Sequence, residues 1–203
     1  KLDVDIEDIS IGMGLDKRIG SRFLRAGPAY GGSCFPKDTK AIINTAENHK
    51  INLSLIKSVV KSNDSRNSIL ISKINKIFNN KIKKKKITFL GVTFKANTDD
   101  MRDSPSLQMI PALIRNGALV NYYDPTGPKK DFSKFKSVSF SNSLIDAIKY
   151  SDLVIIHTEW NDFKSINFKK YSKNKKLIIY DLRNLYSPLK INNMGFKYYG
   201  IGR

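Results

Sequence analysis

The sequence predicts an α/β protein in which a helical segment is followed by a domain built on a parallel β-sheet. Two changes of pattern along the chain predict this architecture. Apolar residues recur at helical spacing up to about residue 82, and short apolar runs alternate with helical segments from Ile87 onward. Strands that alternate with helices favour a parallel sheet covered on both faces.

Three helices are expected in the first part of the chain. Asp5–Gly14 favours a short helix ended by glycine, and Pro36–Asn48 suits a helix with proline in its first turn. Between them, the Gly-rich stretch 19–33 predicts a loop. Asn52 is the expected cap of a longer helix that runs to about Phe78. A helix of that length needs something to pack on, either a partner subunit or another domain.

The second part of the chain predicts four strands and two helices. The expected strands are Ile87–Val92, Leu119–Tyr123, Leu153–Ile156 and Leu177–Tyr180. The expected helices are Pro105–Asn116, capped by Ser104 and stopped by Gly117, and Asn142–Lys149. This order is that of a Rossmann-like domain, in which ligands bind beyond the carboxyl ends of the strands. Chemistry is therefore expected in the loops 93–104, 124–129, 157–163 and 181–188.

The first strand of this domain lacks the dinucleotide fingerprint. The chain reads Gly-Val-Thr-Phe-Lys at 91–95 where G-x-G-x-x-G is required. The domain is therefore not expected to hold a dinucleotide pyrophosphate in the usual way.

The composition limits the class of protein. The chain has 203 residues, 40% of them hydrophobic, one cysteine and a net charge of +18. One cysteine excludes an internal disulfide framework and fits a reducing compartment. No apolar stretch is long enough to cross a bilayer. The positive charge leaves three explanations open: a nucleic-acid partner, an anionic small substrate, or a Lys-rich composition. The run Lys81–Lys86 is interpreted as cations that complement the dipole of the long helix at its end.

The stretch around Cys34 carries the strongest chemical pattern. Two glycines precede the cysteine, and Pro36 marks the start of a helix, so Cys34 is expected at or just before a helix N-terminus, where the dipole favours a thiolate. Lys37 adds a positive charge, and Asp38 follows Cys34 by one helical turn. A thiolate beside a carboxylate that activates water is a coherent acyl-transfer pair. The alternative is a small buried cysteine without reactivity.

Several motifs together carry a resemblance to a known family. GGSCFPKDTKA, at 31–41, resembles the active-site signature of UDP-glucose 6-dehydrogenases, and Ser33 and Phe35 favour them over related GDP-mannose and N-acetyl-sugar enzymes. Further similar motifs follow in the family's order: Asp16–Gly20 before the cysteine, and after it Gly91–Lys95, Thr98–Pro105, Tyr123–Pro125, Thr158–Trp160 and Asp181–Asn184.

The resemblance implies that NAD is the cofactor and that a sugar C6 alcohol is oxidised twice. By resemblance Cys34 is the nucleophile and Asp38 positions or activates water. The implied substrate contacts are Arg18, Phe23, Arg25, Tyr30, Gly31, Phe94, Lys95 and Arg183, with Arg18 reaching across a dimer. Lys37 and Arg102 are the implied NAD contacts. The alternative for Arg102 is a surface ion pair with Asp99 or Asp103, and Asp181 is a candidate ion-pair partner of Arg183.

The resemblance also implies the domain organisation and partners. Residues 1–84 correspond to the end of a central helical dimerisation domain, and 85–203 to a Rossmann-like UDP-binding domain. The family's NAD-binding domain is absent, so we expect a piece of a longer protein that is inactive alone. A UDP-sugar, a homodimer or larger homo-oligomer, and a cytoplasmic location are expected, without metal, nucleic acid or membrane. His49 and His157 are interpreted as structural. A GDP-mannose or UDP-N-acetyl-hexosamine 6-dehydrogenase and a non-catalytic nucleotide-sugar binding module remain alternatives.

Overall fold

The computed structural model describes residues 4–203 and confirms the α/β fold, with helices first and a parallel sheet after them. The helices are α1 (Ile6–Gly14), α2 (Phe35–Asn48), α3 (Ser54–Ile77), α4 (Ser106–Arg115), α5 (Leu144–Ile148), α6 (Phe168–Tyr171) and α7 (Pro188–Asn193). The strands are β1 (Lys86–Leu90), β2 (Leu119–Tyr123), β3 (Val138–Phe140), β4 (Leu153–Ile156), β5 (Ile178–Asp181) and β6 (Lys197–Gly200).

All six strands are parallel and lie in the order β3-β2-β1-β4-β5-β6. This is the doubly wound order in which the chain reverses direction beside β1 and leaves a crevice at the carboxyl ends. β3 and β6 were not predicted, because each is short, lies at an edge and has only partly buried side chains. Central strands such as β4 are buried on both faces and therefore read as continuous apolar runs.

The two faces of the sheet carry separate hydrophobic cores. On one face, Ile87 and Ile155 pack with α4 and with Leu70 and Ile74 from the second half of α3. On the other face, strand residues pack against α5, α6 and α7. The second half of α3 thus attaches the helical segment to the sheet domain. In the first half of α3, Leu55 is 77% exposed.

Two expected helix caps and the interpretation of the lysine run differ from the structure. α3 begins at Ser54 behind Leu53, so Asn52 is not its cap. Ser104 does not cap α4 either, because its hydroxyl donates to the carbonyl of Val92 at 2.6 Å. α3 ends at Ile77, and only Lys76 lies in its last turn. The run Lys81–Lys86 therefore lies beyond the helix, and the interpretation as dipole-complementing cations is wrong.

Candidate active site around Cys34

Cys34 occupies the N-cap position of α2, as the sequence predicts, and its side chain is exposed rather than buried. Pro36 is the second helical residue, and the backbone N–H of Asp38 donates to the Cys34 carbonyl at 2.8 Å. The Asp38 carboxylate is two-thirds exposed and lies 3.5 Å from the ammonium of Lys37. The thiol and the carboxylate are therefore one helical turn apart on an open surface.

The two glycines before Cys34 let the chain pack closely against the loop that follows β1. Gly32 has φ +87°, and its N–H donates to the carbonyl of Arg102 at 2.8 Å. A Cβ on Gly32 would meet the ring of Phe94 at 2.8 Å, and one on Gly31 would collide with the carbonyl of Asp103. Only glycine permits both the backbone conformation and this approach.

Gly32→Ala is expected to lower the free energy of unfolding by about 1–3 kcal/mol, because it adds strain at positive φ to a contact with the Phe94 ring. Gly127→Ala is the matched control: φ is +85° there, but no atom lies within 4 Å of the added Cβ. Urea unfolding of both variants isolates the contact. Equal losses of unfolding free energy in the two variants would mean that the close contact between Gly32 and the Phe94 ring does not restrict the side chain at position 32.

Two side chains of α3 clamp the loop that precedes the cysteine. The Asn63 amide accepts from the Tyr30 N–H at 2.9 Å and donates to the Tyr30 carbonyl at 3.2 Å. Arg66 donates to the carbonyls of Gly27 at 2.9 Å and Pro28 at 3.1 Å. Neither residue was predicted from sequence, since nothing in their local pattern distinguishes them from other polar residues on a helix.

Arg183 joins the loops that follow β1, β4 and β5. Its guanidinium donates to the carbonyls of His157 at 2.9 Å and Phe94 at 3.0 Å, and lies 2.8 Å from the Glu159 carboxylate. Burial lowers the pKa of Arg183, while the charges of Glu159 and Asp181 raise it. Three of the loops in which chemistry is expected therefore meet at Arg183. Glu159 was not predicted as a member of the site.

Asp181 does not pair with the Arg183 guanidinium as expected. Its carboxylate accepts from the backbone N–H groups of Arg183 and Tyr186, both at 3.0 Å, and from the Tyr198 hydroxyl at 3.3 Å. Burial raises the pKa of Asp181, and these hydrogen bonds oppose the rise. Asp181 thus shapes the loop after β5, and Glu159 provides the charge that faces Arg183.

The loop after β1 carries two cations, Lys95 and Arg102. Arg102 forms a bidentate pair with Asp100, with nitrogen–oxygen distances of 2.9 and 2.8 Å, and not with Asp99 or Asp103 as expected. This pair raises the pKa of Arg102 and lowers that of Asp100, and the charge of Cys34 adds to the rise at Arg102. Lys95 is exposed, with its ammonium 5.3 Å from the centre of the Phe94 ring.

Other predicted site residues are not joined to this cluster within one chain. Arg18 is 89% exposed and pairs with Asp16 at 2.6 Å. Phe23 is also 89% exposed, and Arg25 is exposed. Tyr30 packs its ring edge-on against Phe35, with ring centres 4.7 Å apart. These first three residues therefore face outward in a single chain.

His157 is fully buried, with its Nδ1 3.0 Å from the Thr158 hydroxyl, and burial lowers its pKa to about 3. His49 lies on the surface at the end of α2. Within residues 4–203, no three His, Cys, Asp or Glu side chains form a cluster that could hold a metal ion. Over the same residues, no helix combines the length and hydropathy needed to span a bilayer.

An exposed cysteine at a helix start thus lies on the carboxyl-end loops of a doubly wound sheet, which is where proteins of this fold bind their ligands. Comparison with known proteins identifies the family. Residues 1–65 match the central domain of the UDP-glucose/GDP-mannose dehydrogenase family, and residues 88–188 match its UDP binding domain. The chain belongs to this family and corresponds to its C-terminal portion.

Individual relatives cover the whole chain. It is 42% identical to a UDP-glucose 6-dehydrogenase of Rickettsia prowazekii (strain Madrid E), covering 100% of this chain and 47% of that protein. It is 40% identical to one of Rhizobium meliloti (strain 1021), also covering 100% and 47%. Among solved structures, a UDP-glucose dehydrogenase from Pyrobaculum islandicum matches with a TM-score of 0.84 at 27% identity, covering 99% of this chain and 44% of that one. The chain thus spans about half the length of these relatives.

Proposed function

We propose that this chain is the part of an NAD-dependent UDP-glucose 6-dehydrogenase that carries the nucleophile and the UDP-binding domain. The observation that carries the proposal is the exposed Cys34 at the start of α2, seated through Gly32 against Phe94 and Arg102. Relatives that are 40% identical or more over the whole chain and are named UDP-glucose 6-dehydrogenase support that substrate over GDP-mannose.

The proposed chemistry converts the sugar C6 alcohol to a carboxylate. When bound, NAD supplies the acceptor for the hydride in both oxidations. The Cys34 thiolate attacks the C6 aldehyde carbon, forms a C–S bond and leaves an oxygen that takes a proton, which gives a thiohemiacetal. This bond holds the carbon in place between the oxidations. The second oxidation converts the thiohemiacetal to a thioester. Water then cleaves this thioester, with Asp38 accepting the water proton and the Cys34 thiolate as leaving group.

The chain's own residues fit a peripheral contact to NAD, but not a complete dinucleotide site. β1 ends at Leu90 and α4 begins only at Ser106, so no helix N-terminus follows β1 directly to receive a pyrophosphate. Arg102 is two-thirds exposed and Lys37 is three-quarters exposed. Both are available as cations beside Cys34 for the diphosphate of a cofactor held mainly by other parts of the enzyme.

The UDP-sugar is proposed to lie along the loops that Arg183 joins. Lys95 offers an exposed ammonium for the diphosphate, and Phe94 offers a ring beside it for the base. Arg183 lies beneath them, with its charge already balanced by Glu159. Tyr30 and Gly31 lead from this region to the cysteine, where the sugar has to reach.

A homodimer or larger homo-oligomer is proposed from the surface of the helical segment. Many of its apolar side chains are exposed, including Ile11 at 63%, Leu15 at 79% and Phe23 at 89%. Exposed apolar side chains concentrated in one segment favour an interface there. Arg18 lies in the same segment, where its side chain is 89% exposed and pairs with Asp16, as expected if it serves a neighbouring subunit. The division at residue 84 and the cytoplasmic location stay predictions.

Alkylation of Cys34 tests the proposal, because the chain has no other cysteine. Iodoacetamide is expected to modify the folded chain at Cys34, and UDP-glucose is expected to slow the reaction several-fold and to raise the melting temperature. GDP-mannose at the same concentration is the matched control ligand and is expected to protect less. If UDP, UDP-glucose and UDP-glucuronate all leave both readouts unchanged, the proposed substrate is rejected.

Supplying an NAD-binding half separates the enzyme from a non-catalytic nucleotide-sugar binding module. The chain is expected to form NADH from NAD and UDP-glucose when combined with the N-terminal half of a relative, and Cys34→Ser is expected to abolish UDP-glucuronate formation. Protection of Cys34 without any turnover in the combined protein would favour the binding module.

A further inference from the structure

Lysines concentrate at the edge of the sheet where the strands begin. The segments that enter the six strands are 81–86, 115–118, 133–137, 149–152, 172–177 and 194–197. They contain twelve Lys, one Arg and one Asp, a net charge of +12. Eleven of these thirteen cations are exposed, and the other two are half-buried. We call this surface the amino-end face.

At the opposite edge of the same sheet, acidic residues outnumber basic ones. The segments that leave the strands are 91–105, 124–129, 141–143, 157–163, 181–187 and 201–203. They carry five cations and seven anions, a net charge of −2. A uniformly Lys-rich composition would enrich both edges alike. An anionic substrate at the carboxyl ends does not account for cations at the far edge either.

The strand register makes the amino-end face broad. Lys86 pairs with Leu119, Ile87 with Leu153, and Ile178 with Lys197, so the strands begin nearly level. Six strands spaced by about 4.8 Å span about 24 Å. The face is built from loop ends and strand starts, and α3 stops at Ile77 before reaching it.

We propose that the amino-end face docks on an anionic lipid bilayer. Clusters of lysines bind such surfaces through their summed charge, without specific geometry. Sequence-reading nucleic-acid binders instead present a recognition helix, an arginine fork or a stacking platform. Among its thirteen cations the face has one arginine, Arg115, at the end of α4. Its exposed aromatic, Tyr150, lies between the ammonium groups of Lys86 and Lys149, 5.7 and 5.4 Å from the ring centre, an arrangement suited to lipid headgroups.

This docking needs no membrane-spanning helix, and it revises the expectation from sequence that the chain contacts no membrane. Because the Cys34 cluster lies at the carboxyl ends of β1 and β5, it faces away from a bilayer bound at the amino ends. A protein docked in this way keeps its site open to substrates from solution.

Vesicle co-sedimentation tests the proposal with the full 203-residue chain. We expect partition onto phosphatidylcholine vesicles that contain about one-third phosphatidylglycerol, none onto phosphatidylcholine alone, and release at high salt. Lys136→Glu, Lys175→Glu and Lys176→Glu together are expected to lower the partition coefficient by about a hundredfold or more, since each lysine contributes about fivefold. All three side chains are exposed.

The matched control reverses the charge of three exposed lysines outside the amino-end face and has the same change in net charge: Lys130→Glu, Lys164→Glu and Lys190→Glu. It is expected to lower partition less than threefold. Thermal unfolding verifies that both variants fold. Equal losses in the two variants, or equal binding of the native chain to neutral vesicles, overturn the proposal. So does tighter binding to duplex DNA or RNA than to the anionic vesicles at the same salt, if the first variant abolishes it.

Discussion

Arg183→Met is expected to lower the free energy of unfolding by about 3 kcal/mol and the affinity for UDP by tenfold or more. The change keeps an unbranched apolar stem but removes the guanidinium with its charge and its donors. The carbonyls of His157 and Phe94 then lose their partner, and Glu159 is left as an unpaired, two-thirds buried carboxylate. Urea unfolding and calorimetric titration with UDP measure the two effects.

Two further variants separate charge from geometry. Arg183→Lys keeps the charge, but a single ammonium cannot reach both carbonyls and the carboxylate, so we expect partial recovery of UDP affinity and little recovery of stability. Arg115→Met is the control, because Arg115 is exposed at the last residue of α4. It is expected to change stability by less than about 0.5 kcal/mol.

The two measurements test two roles of Arg183 separately: holding the loops together and contacting the substrate. If Arg183→Met is as stable as the native chain, Arg183 does not hold the loops together. If stability falls while UDP affinity is unchanged, Arg183 is structural, and the substrate contact implied by the resemblance is wrong. The Arg183 side chain is 15% exposed and already pairs with Glu159, which is the arrangement that a purely structural role would require.

The sequence predicted those parts of the fold whose cause is local. The strands β1, β2, β4 and β5 are marked by apolar residues, and the start of α2 is marked by Pro36. β3 and β6 depend on pairing with a neighbouring strand rather than on their own composition, so their three or four residues carried no signal. Ser104 was assigned to a cap because its alternative acceptor, the Val92 carbonyl, is twelve residues away.

The same limit applies to the site. Cys34 and Asp38 were predicted from sequence because the two residues lie within one helical turn of each other. The Glu159–Arg183 pair was missed because the two residues belong to different strand ends and meet only in the folded sheet. Arg66 and Gly27 are likewise separated by 39 positions. Arg183 and Lys95 were predicted as substrate contacts mainly from the family resemblance, and both stay predictions.

The second large expected effect is acid destabilisation through His157. Burial lowers its pKa from 6.5 to about 3, with a further contribution from the Arg183 charge. Below pH 6.5 the unfolded chain therefore binds a proton at His157, whereas His157 in the folded chain stays neutral. The free energy of unfolding falls as the pH decreases towards 3. Between pH 7.5 and pH 4.5 this is expected to cost about 3 kcal/mol, measured as the free energy of urea unfolding.

The chain has two histidines, which provides a matched control. His157→Gln is expected to be less stable than the native chain at pH 7.5, but to lose about 3 kcal/mol less between pH 7.5 and pH 4.5. His49→Gln removes an exposed imidazole and should leave the acid dependence unchanged. Asp181, whose pKa burial raises, acts in the opposite direction and is present in both variants, so its contribution cancels in the comparison. Equal acid dependence in His157→Gln and the native chain would contradict the prediction, because it would show that the pKa of His157 is not lowered in the folded chain.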